Sequence, residues 1–444
     1  WAFMAIVPPL FMTRKVNIGL IGAGTAGGGV LRALRRNGAL MTSRLGARLR
    51  VGRVAVQNLK KKRDFKVAKG VLTADWKSVV NDPKIDLVVE LIGGTTIAKD
   101  VVLAALRVGK PVVTANKALL AFHGEKLFAA AEKSGANLYY EASVAGGVPI
   151  IKVIREALVG NRVTHLFGIL NGTCNFILTK MKEGMDFDIA VKLAQQQGYA
   201  EADPCLDVDG HDAAHKVGIL ASLAHGFWVK PKEVYTEGIT HITPLDLEFA
   251  GTLGYAIKLL GIVKTSKAGS VQVSMYPALV PDDHVLANVS DVYNGILVRG
   301  DVVGDTLHYG QGAGPDATAS AVLSDIGDAV LDLKHGSTDR LKAFIPHESN
   351  GAVRQIGETT SCYYLRLSVL DRPGVLAKVS AILAKNKIGI SSVTQPEGHE
   401  GGSVPLILML HYAKNAAMTK ALKAIQKLSS VKTKPVMIRV ESLE

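Results

Sequence analysis

The chain has 444 residues, 48% of them hydrophobic and 20% charged, with 45 glycines. At roughly 100 to 200 residues per domain this length predicts two to four folded units, and the composition excludes a disordered chain or a disulfide-stapled mini-protein. Lysine and arginine outnumber aspartate and glutamate 52 to 39, for a net charge of +13. The dense basic run Lys60-Lys61-Lys62-Arg63 has no interleaved aromatics, so nucleic acid is not expected as a partner. No stretch approaches the ~18 to 20 consecutive apolar residues of a membrane span, and no membrane association is expected. Cys174, Cys205 and Cys362 form no CxxC pair, which disfavours zinc and a disulfide framework and fits a reducing cytoplasm.

Along the chain, residues 1–11 are apolar and contain proline but lack the basic start and small-residue cleavage site of a signal peptide, and 1–14 read as a disordered leader. Over 15–141, β-rich runs at 16–21, 51–56, 87–92, 112–114 and 137–140 alternate with amphipathic stretches such as 29–36 and 99–108. That alternation is the pattern of a parallel, doubly wound α/β sheet. Residues 142–309 read as a second α/β or α+β unit, with a segment near 310–335 returning to the first. The span 336–360, of mixed polarity with Pro346, Gly351 and Gly357, is the linker candidate. From 361 to 444 the order strand, helix, strand, strand, helix, strand gives the ferredoxin-like βαββαβ arrangement.

Gly22-Ala23-Gly24-Thr25-Ala26-Gly27 follows the first predicted strand and opens a helix, so its glycines make a tight turn and let backbone amides approach a pyrophosphate. With the strand before and the helix after it, the run predicts a Rossmann-type dinucleotide site built on Gly22, Gly24, Thr25, Ala26 and Gly27. An NAD site usually carries an acid at the end of the second strand to bind the ribose 2′-hydroxyl. Here Val56 is followed by Gln57, Asn58 and Leu59 and then by Lys60 and Lys61, which suit a 2′-phosphate. NADP(H) is therefore favoured over NAD(H), the other reading being a solvated basic loop. Gly93-Gly94-Thr95-Thr96 and Thr114-Ala115-Asn116-Lys117 follow two further strands, at the carboxyl ends where such sheets bind ligands. Thr95 and Lys117 are the candidates there.

The densest polar cluster runs from Tyr199 through Glu201, Asp203, Asp207 and Asp209 to His211-Asp212-Ala213-Ala214-His215-Lys216. Gly210 marks a turn and the apolar residues after Lys216 predict a helix, on which Asp212 and Lys216 share a face. An acid and an ammonium so placed can contact a zwitterionic or aldehyde-bearing substrate; the plainer account is a surface ion pair. His211 and His215 are spaced as metal ligands, but no third ligand follows, and the acids of 203–209 lack the glycine and terminal glutamate of a calcium loop.

At these segments the chain resembles the homoserine dehydrogenases. The resemblance rests on the glycine loop, on Thr114-Ala115-Asn116-Lys117, on Tyr140-Glu141-Ala142-Ser143-Val144-Ala145-Gly146-Gly147-Val148-Pro149-Ile150, on Asn171-Gly172-Thr173-Cys174-Asn175-Phe176-Ile177 and on the cluster ending at Lys216. It covers roughly residues 15 to 335. It implies reversible reduction of L-aspartate 4-semialdehyde to L-homoserine, a step toward threonine, methionine and isoleucine, in a homodimer or homotetramer. It also implies Lys216 as proton donor with Lys117 assisting, and Glu201 and Asp212 on the substrate, with Tyr199 and Asp207 as weaker candidates. By the same resemblance Glu141, Val144, Gly146 and Val148 would hold a sodium ion. A fused aspartokinase is not expected ahead of Val16.

The tail, with Leu370-Asp371-Arg372-Pro373-Gly374-Val375-Leu376, looks like an ACT domain, the amino-acid-sensing module. Its first helix start could receive an effector carboxylate, and L-threonine feedback is the expected regulation. A degenerate module used only for oligomerisation is the alternative for the tail. A nucleotide-bound amino-acid sensor without turnover is the alternative for the whole chain.

Overall fold

The computed structural model describes residues 14–63, 65, 67–266, 269–337, 340–347, 351–396 and 402–443. The expected leader lies outside them except for Arg14, which already belongs to the first strand. The chain divides into two compact units, one running through Lys152 and resuming over Ala313–Ile345, the other formed by Val153–Gly312 and Pro346–Glu444.

In the first unit, β1 (Arg14–Ile21), β2 (Ala47–Ala55), β3 (Leu72–Thr73), β4 (Leu87–Glu90), β5 (Val112–Thr114) and β6 (Leu138–Tyr139) form one sheet in the order β3-β2-β1-β4-β5-β6. Each pairing is parallel, and the order is that of a doubly wound dinucleotide-binding fold. The apolar runs are nearly continuous because helices cover the sheet: Val16, Ile18 and Leu20 on β1 are buried with Val54, Leu87, Val89 and Val113. Two long helices, Thr25–Leu45 and Pro315–His335, complete this core. They approach so closely that a Cβ at Gly29 would stand 2.5 Å from the Pro315 carbonyl oxygen. The segment near 310–335 thus returns to the first unit as this second helix.

In the second unit, β7 (Val163–Ile169), β8 (Tyr235–Thr236), β9 (Tyr255–Thr265), β10 (Val271–Pro281), β11 (Tyr293–Gly300), β12 (Gly304–Gln311), β13 (Thr360–Leu370), β14 (Ile390–Thr394), β15 (Ser403–Lys414) and β16 (Val436–Val440) belong to a ten-stranded sheet. Its order is β12-β11-β7-β9-β10-β16-β13-β15-β14, with β8 paired to β10. The last four strands, with helices Val375–Lys385 and Asn415–Ile425, give the expected βαββαβ module and its own apolar core. Ala278 and Leu279 of β10 pair in parallel with Arg439 and Val440 of β16, so the module extends the preceding sheet.

Within the linker expected at 336–360, several of the described residues hydrogen-bond to the unit they belong to. Its first part closes the first unit, where Asn137 donates to the Leu341 carbonyl at 2.8 Å. Its second part crosses the second unit: the His347 amide donates to the Gly226 carbonyl at 3.2 Å, and the Val271 and Arg354 amides bond to Ala352 and Val271.

Charged side chains join the terminal module to the rest of its sheet. Asp246, fully buried on the helix Pro244–Thr252, accepts from Arg366 at 2.6 and 2.9 Å and from the Tyr364 hydroxyl at 3.1 Å. The same carboxylate caps its own helix by accepting the Thr243 amide at 2.9 Å. Asp246→Ala leaves Arg366 and Tyr364 desolvated without their acceptor, a loss of about 3 to 5 kcal/mol. A denaturant titration of the full chain will show the second unit unfolding at a lower midpoint with unchanged slope.

Candidate active site

The glycine loop places each glycine for a separate reason. Gly22 has φ of +96°, and a Cβ there would lie 2.5 Å from the Leu91 carbonyl oxygen. At Gly27 a Cβ would lie 2.2 Å from the Gly22 carbonyl oxygen, so only glycine lets the helix start press on the turn. Gly24, the N-cap of helix Thr25–Leu45, faces open space. The first amides of that helix, at Thr25, Ala26 and Gly27, can thus meet an anion unobstructed, which fits a dinucleotide pyrophosphate.

Past β2, the Asn58 side chain accepts the amides of Lys60 and Lys61 at 2.9 and 3.1 Å, and Arg63 returns to the Asn58 carbonyl at 2.5 Å. The turn is therefore shaped, and the side chains of Lys60 and Lys61 are exposed on it.

The loops after β4 and β5 share one organiser that the sequence reading passed over. Glu90 is fully buried at the end of β4, where it accepts the Ile92 amide at 2.8 Å and the Thr114 hydroxyl at 2.6 Å. Burial pushes its carboxyl above the ordinary value, against the pull of these donors. Asn116 adds a second tie, donating to the Gly94 carbonyl at 2.7 Å and capping helix Lys117–Ser134 through the Leu119 amide at 3.0 Å. Thr95, at the start of helix Thr96–Arg107, and half-buried Lys117 are thereby held at adjoining strand ends. The available signal for Glu90 was a lone acid closing an apolar strand just before two glycines.

Glu141 is also buried, and its two oxygens accept the Ile151 and Lys152 amides at 2.9 Å each. Its own amide donates to buried Asp325 at 2.8 Å. Burial, then the neighbouring Glu141 charge, raise the Asp325 carboxyl well above its usual range. Between Glu141 and Ile151 the chain turns through two successive left-handed residues, Ala145 and Gly146, with φ of 55° and 47°. Val144 and Val148 flank them and are buried.

In the second unit, Lys216 lies on the first turns of helix His211–His225, whose N-cap is Gly210 with φ of +83°. Its ammonium donates to the Leu170 carbonyl at 2.7 Å and pairs with Asp212 at 2.8 Å, both side chains being nearly buried. Asn171 joins Asp207 and Asp212 through its amide, at 2.7 and 3.3 Å, while its oxygen caps helix Gly172–Lys182 at the Cys174 amide, 2.8 Å away. The Tyr199 ring meets Phe176 edge-on at 5.1 Å, and its carbonyl accepts from Thr173 at 2.6 Å. Lys216, Asp212 and Asp207 are thus one cluster with Tyr199 packed on the adjoining helix. Glu201 is exposed, and its carboxylate has no side-chain partner among the described residues. Asn171 was missed as a site residue; its position just before Gly-Thr at a helix start was the signal. Cys174 is fully buried, and burial followed by the Asp207 and Asp212 charges pushes its thiol well up, which makes it inert.

In the terminal module, Asp371, Arg372, Pro373, Gly374, Gln395 and Leu406 help line a pocket of about 390 Å³. It opens at the start of helix Val375–Lys385, capped by Gly374 at φ +85°, and Gln395 bridges to Asp371 at 3.0 Å.

Residues 22–141 match the model for the NAD-binding domain of homoserine dehydrogenase, 149–326 that for homoserine dehydrogenase itself, and 363–427 that for the ACT domain. The chain is 44% identical over 435 residues to the homoserine dehydrogenase of Pseudomonas aeruginosa, covering 97% of this chain and 100% of that one. The chain belongs to the homoserine dehydrogenase family. The Neisseria gonorrhoeae relative is 40% identical over 97% of this chain and 99% of its own. Among solved structures, that of the Thiobacillus denitrificans homoserine dehydrogenase aligns with a TM-score of 0.91 at 44% identity, over 97% of this chain and 99% of that one. A hyperthermophilic archaeal homoserine dehydrogenase solved with NADPH aligns at 0.61 and 27% identity, over 72% of this chain and 98% of that one. The family brings with it an oxidoreductase, a nicotinamide cofactor and a C-terminal ACT module, as the sequence reading expected.

Gly27→Val tests the cofactor loop. Its side chain displaces the Gly22 turn, and nicotinamide-dinucleotide binding followed by fluorescence is expected to be lost while the circular-dichroism spectrum stays that of the unaltered chain.

Proposed function

We propose that this chain reduces L-aspartate 4-semialdehyde reversibly to L-homoserine, with NADPH preferred to NADH. The observation that carries the reading is the Lys216 ammonium, held between the Asp212 carboxylate and the Leu170 carbonyl at a helix start lined by further carboxylates. A bound reduced nicotinamide supplies hydride to the aldehyde carbon. The carbonyl oxygen then gains negative charge, and Lys216 has both the charge to stabilise it and a proton to donate. Asp212 and Leu170 fix the direction of that donor. Lys117, at the strand end of the nucleotide-binding unit, assists at the reacting end. The substrate's ammonium needs carboxylates, and Glu201, whose carboxylate has no side-chain partner among the described residues, joins Asp207 and Asp212 for that task, with Tyr199 as a wall.

The cofactor preference is supported by the shaped basic turn after β2, where Lys60 and Lys61 can meet a 2′-phosphate and no acid stands at the strand's end among the described residues. The carbonyls around Val144, Gly146 and Val148 suit a sodium ion, with the Glu141 carboxylate holding the turn through two amides. The pocket at the Val375 helix start suits a small amino acid, and we assign it L-threonine as feedback inhibitor. The enzyme is read as a cytoplasmic homodimer or homotetramer, its separate thiols kept reduced.

The deciding assay follows NADPH oxidation with L-aspartate 4-semialdehyde, with and without L-threonine and in sodium or tetramethylammonium buffer. The unaltered chain turns over, and Lys216→Ala lowers kcat by about 10²- to 10⁴-fold, the usual scale for losing a positioned acid, without weakening NADPH binding. Folded, NADPH-binding protein that does not turn over would make the chain a sensor instead.

The charge-reversed pair Lys60→Glu with Lys61→Glu tests the cofactor assignment separately. KM for NADPH is expected to rise steeply and KM for NADH to stay level; parallel changes in both would remove the 2′-phosphate role from this turn.

A further inference from the structure

Arg439, on the last strand of the ACT module, is 1% exposed and is among the largest fully buried side chains. A guanidinium so deep requires partners on all sides. It bonds to Glu237 at 2.9 and 3.2 Å and to the Asn415 side chain at 2.9 Å, and it stacks 4.4 Å from the Tyr276 ring centroid and 5.2 Å from that of Tyr235. The Tyr235 hydroxyl donates to the same Glu237 carboxylate. None of these groups belongs to the proposed reaction.

Glu237 is where this network meets the substrate site. Its amide donates to the Met275 carbonyl at 2.8 Å, which anchors the segment on β10, and the next residue has no side chain for a steric reason. A Cβ at Gly238 would lie 2.1 Å from the Val208 carbonyl oxygen and 2.5 Å from the Asp209 Cα. The Ile239 amide donates to the same Val208 carbonyl at 2.8 Å. One residue further, a Cβ at Gly210 would lie 3.2 Å from the Glu237 carbonyl oxygen. The backbone of 237–239 therefore forms the floor under 208–210, between Asp207 on one side and the helix bearing Asp212 and Lys216 on the other.

We infer that Arg439 and Glu237 are positioning residues: the ion pair between the buried guanidinium and the half-buried carboxylate holds the floor on which the Asp207, Asp212 and Lys216 cluster stands, and makes the substrate site depend on the ACT module. The inference rests on the reduction proposed above. A guanidinium binds both carboxylate oxygens at once, so loss or shortening of either partner frees the 237–239 backbone to shift. A shift of one ångström in a catalytic group costs about a hundredfold in rate. The glycine-to-floor contacts have no slack to absorb such a movement.

The test uses the full-length chain with Glu237→Gln, Arg439→Lys, their double variant and Gly238→Ala, each assayed by NADPH oxidation with L-aspartate 4-semialdehyde and by NADPH binding. Each variant should lose about ten- to a hundredfold in kcat/KM for the aldehyde while the Kd for NADPH is unchanged. The double variant should be no worse than the worse single one, because both act through one contact. Gly238→Ala keeps both charges and disturbs the floor directly, so it decides the matter if the charge variants do not fold. Wild-type kinetics for the aldehyde in folded variants, an additive double variant, or an equal loss of NADPH affinity would overturn the inference while leaving the proposed reaction standing. Absence of turnover in the unaltered chain would overturn both.

Discussion

Taking a carboxylate out of water costs several kcal/mol unless donors replace the lost hydration, and this chain accepts that cost where its working loops begin. Glu90 stands at the end of β4 and ties the loops bearing Thr95 and Lys117. Glu141 opens the turn through Ala145 and Gly146 and is held by two amides. Asp212 fixes Lys216, and Glu237 carries the floor beneath them. Once its donors are present, each acid has few alternative geometries, because every other arrangement leaves a desolvated charge unpaired. The apolar cores make the units stable, and these acids give the loops their shape.

The two units use different donors for the same purpose. In the nucleotide-binding unit they are mainly backbone amides and a threonine hydroxyl, so the acids there are satisfied without a side-chain cation. In the second unit they are side-chain cations, Lys216, Arg366 and Arg439. The distinction matters chemically. A dinucleotide brings its own negative charge to helix starts that already favour it, whereas an aldehyde becomes negative only as it reacts and needs a cation ready beside it.

Much of this was legible in the sequence because it is periodic or local. The glycine loop, the alternating runs of 15–141 and the six elements of the tail follow from spacing within a few residues, and the observed strands differ by only a few positions. Lys216 and Asp212 were legible as an i,i+4 pair. What escaped were single residues whose partners lie far away in sequence. Arg439 meets Glu237 across about two hundred positions, and nothing in either neighbourhood marks them. Within 336–360, the ties at His347, Ala352 and Arg354 run through backbone hydrogen bonds, which leave no signature in side-chain type. The joining of the tail to the second sheet rests on the short pairing at Ala278 and Leu279, too brief to leave a pattern.

An ACT module attached through a broad apolar face could be stabilised by an effector without altering anything beyond itself, because such faces repack with little directional preference. The junction here is built differently. Arg439 lies on β16 and Arg366 on β13, adjacent strands of the module's sheet, and each grips an acid on the other side. The strand that pairs with both β10 and β13 is the strand that carries Arg439. Whatever moves this strand therefore bears on the guanidinium it carries and, through Glu237, on the backbone packed under residues 208–210. No long relay is needed between the ACT module and the 237–239 backbone, because the one strand that pairs with both β10 and β13 carries the arginine that holds Glu237.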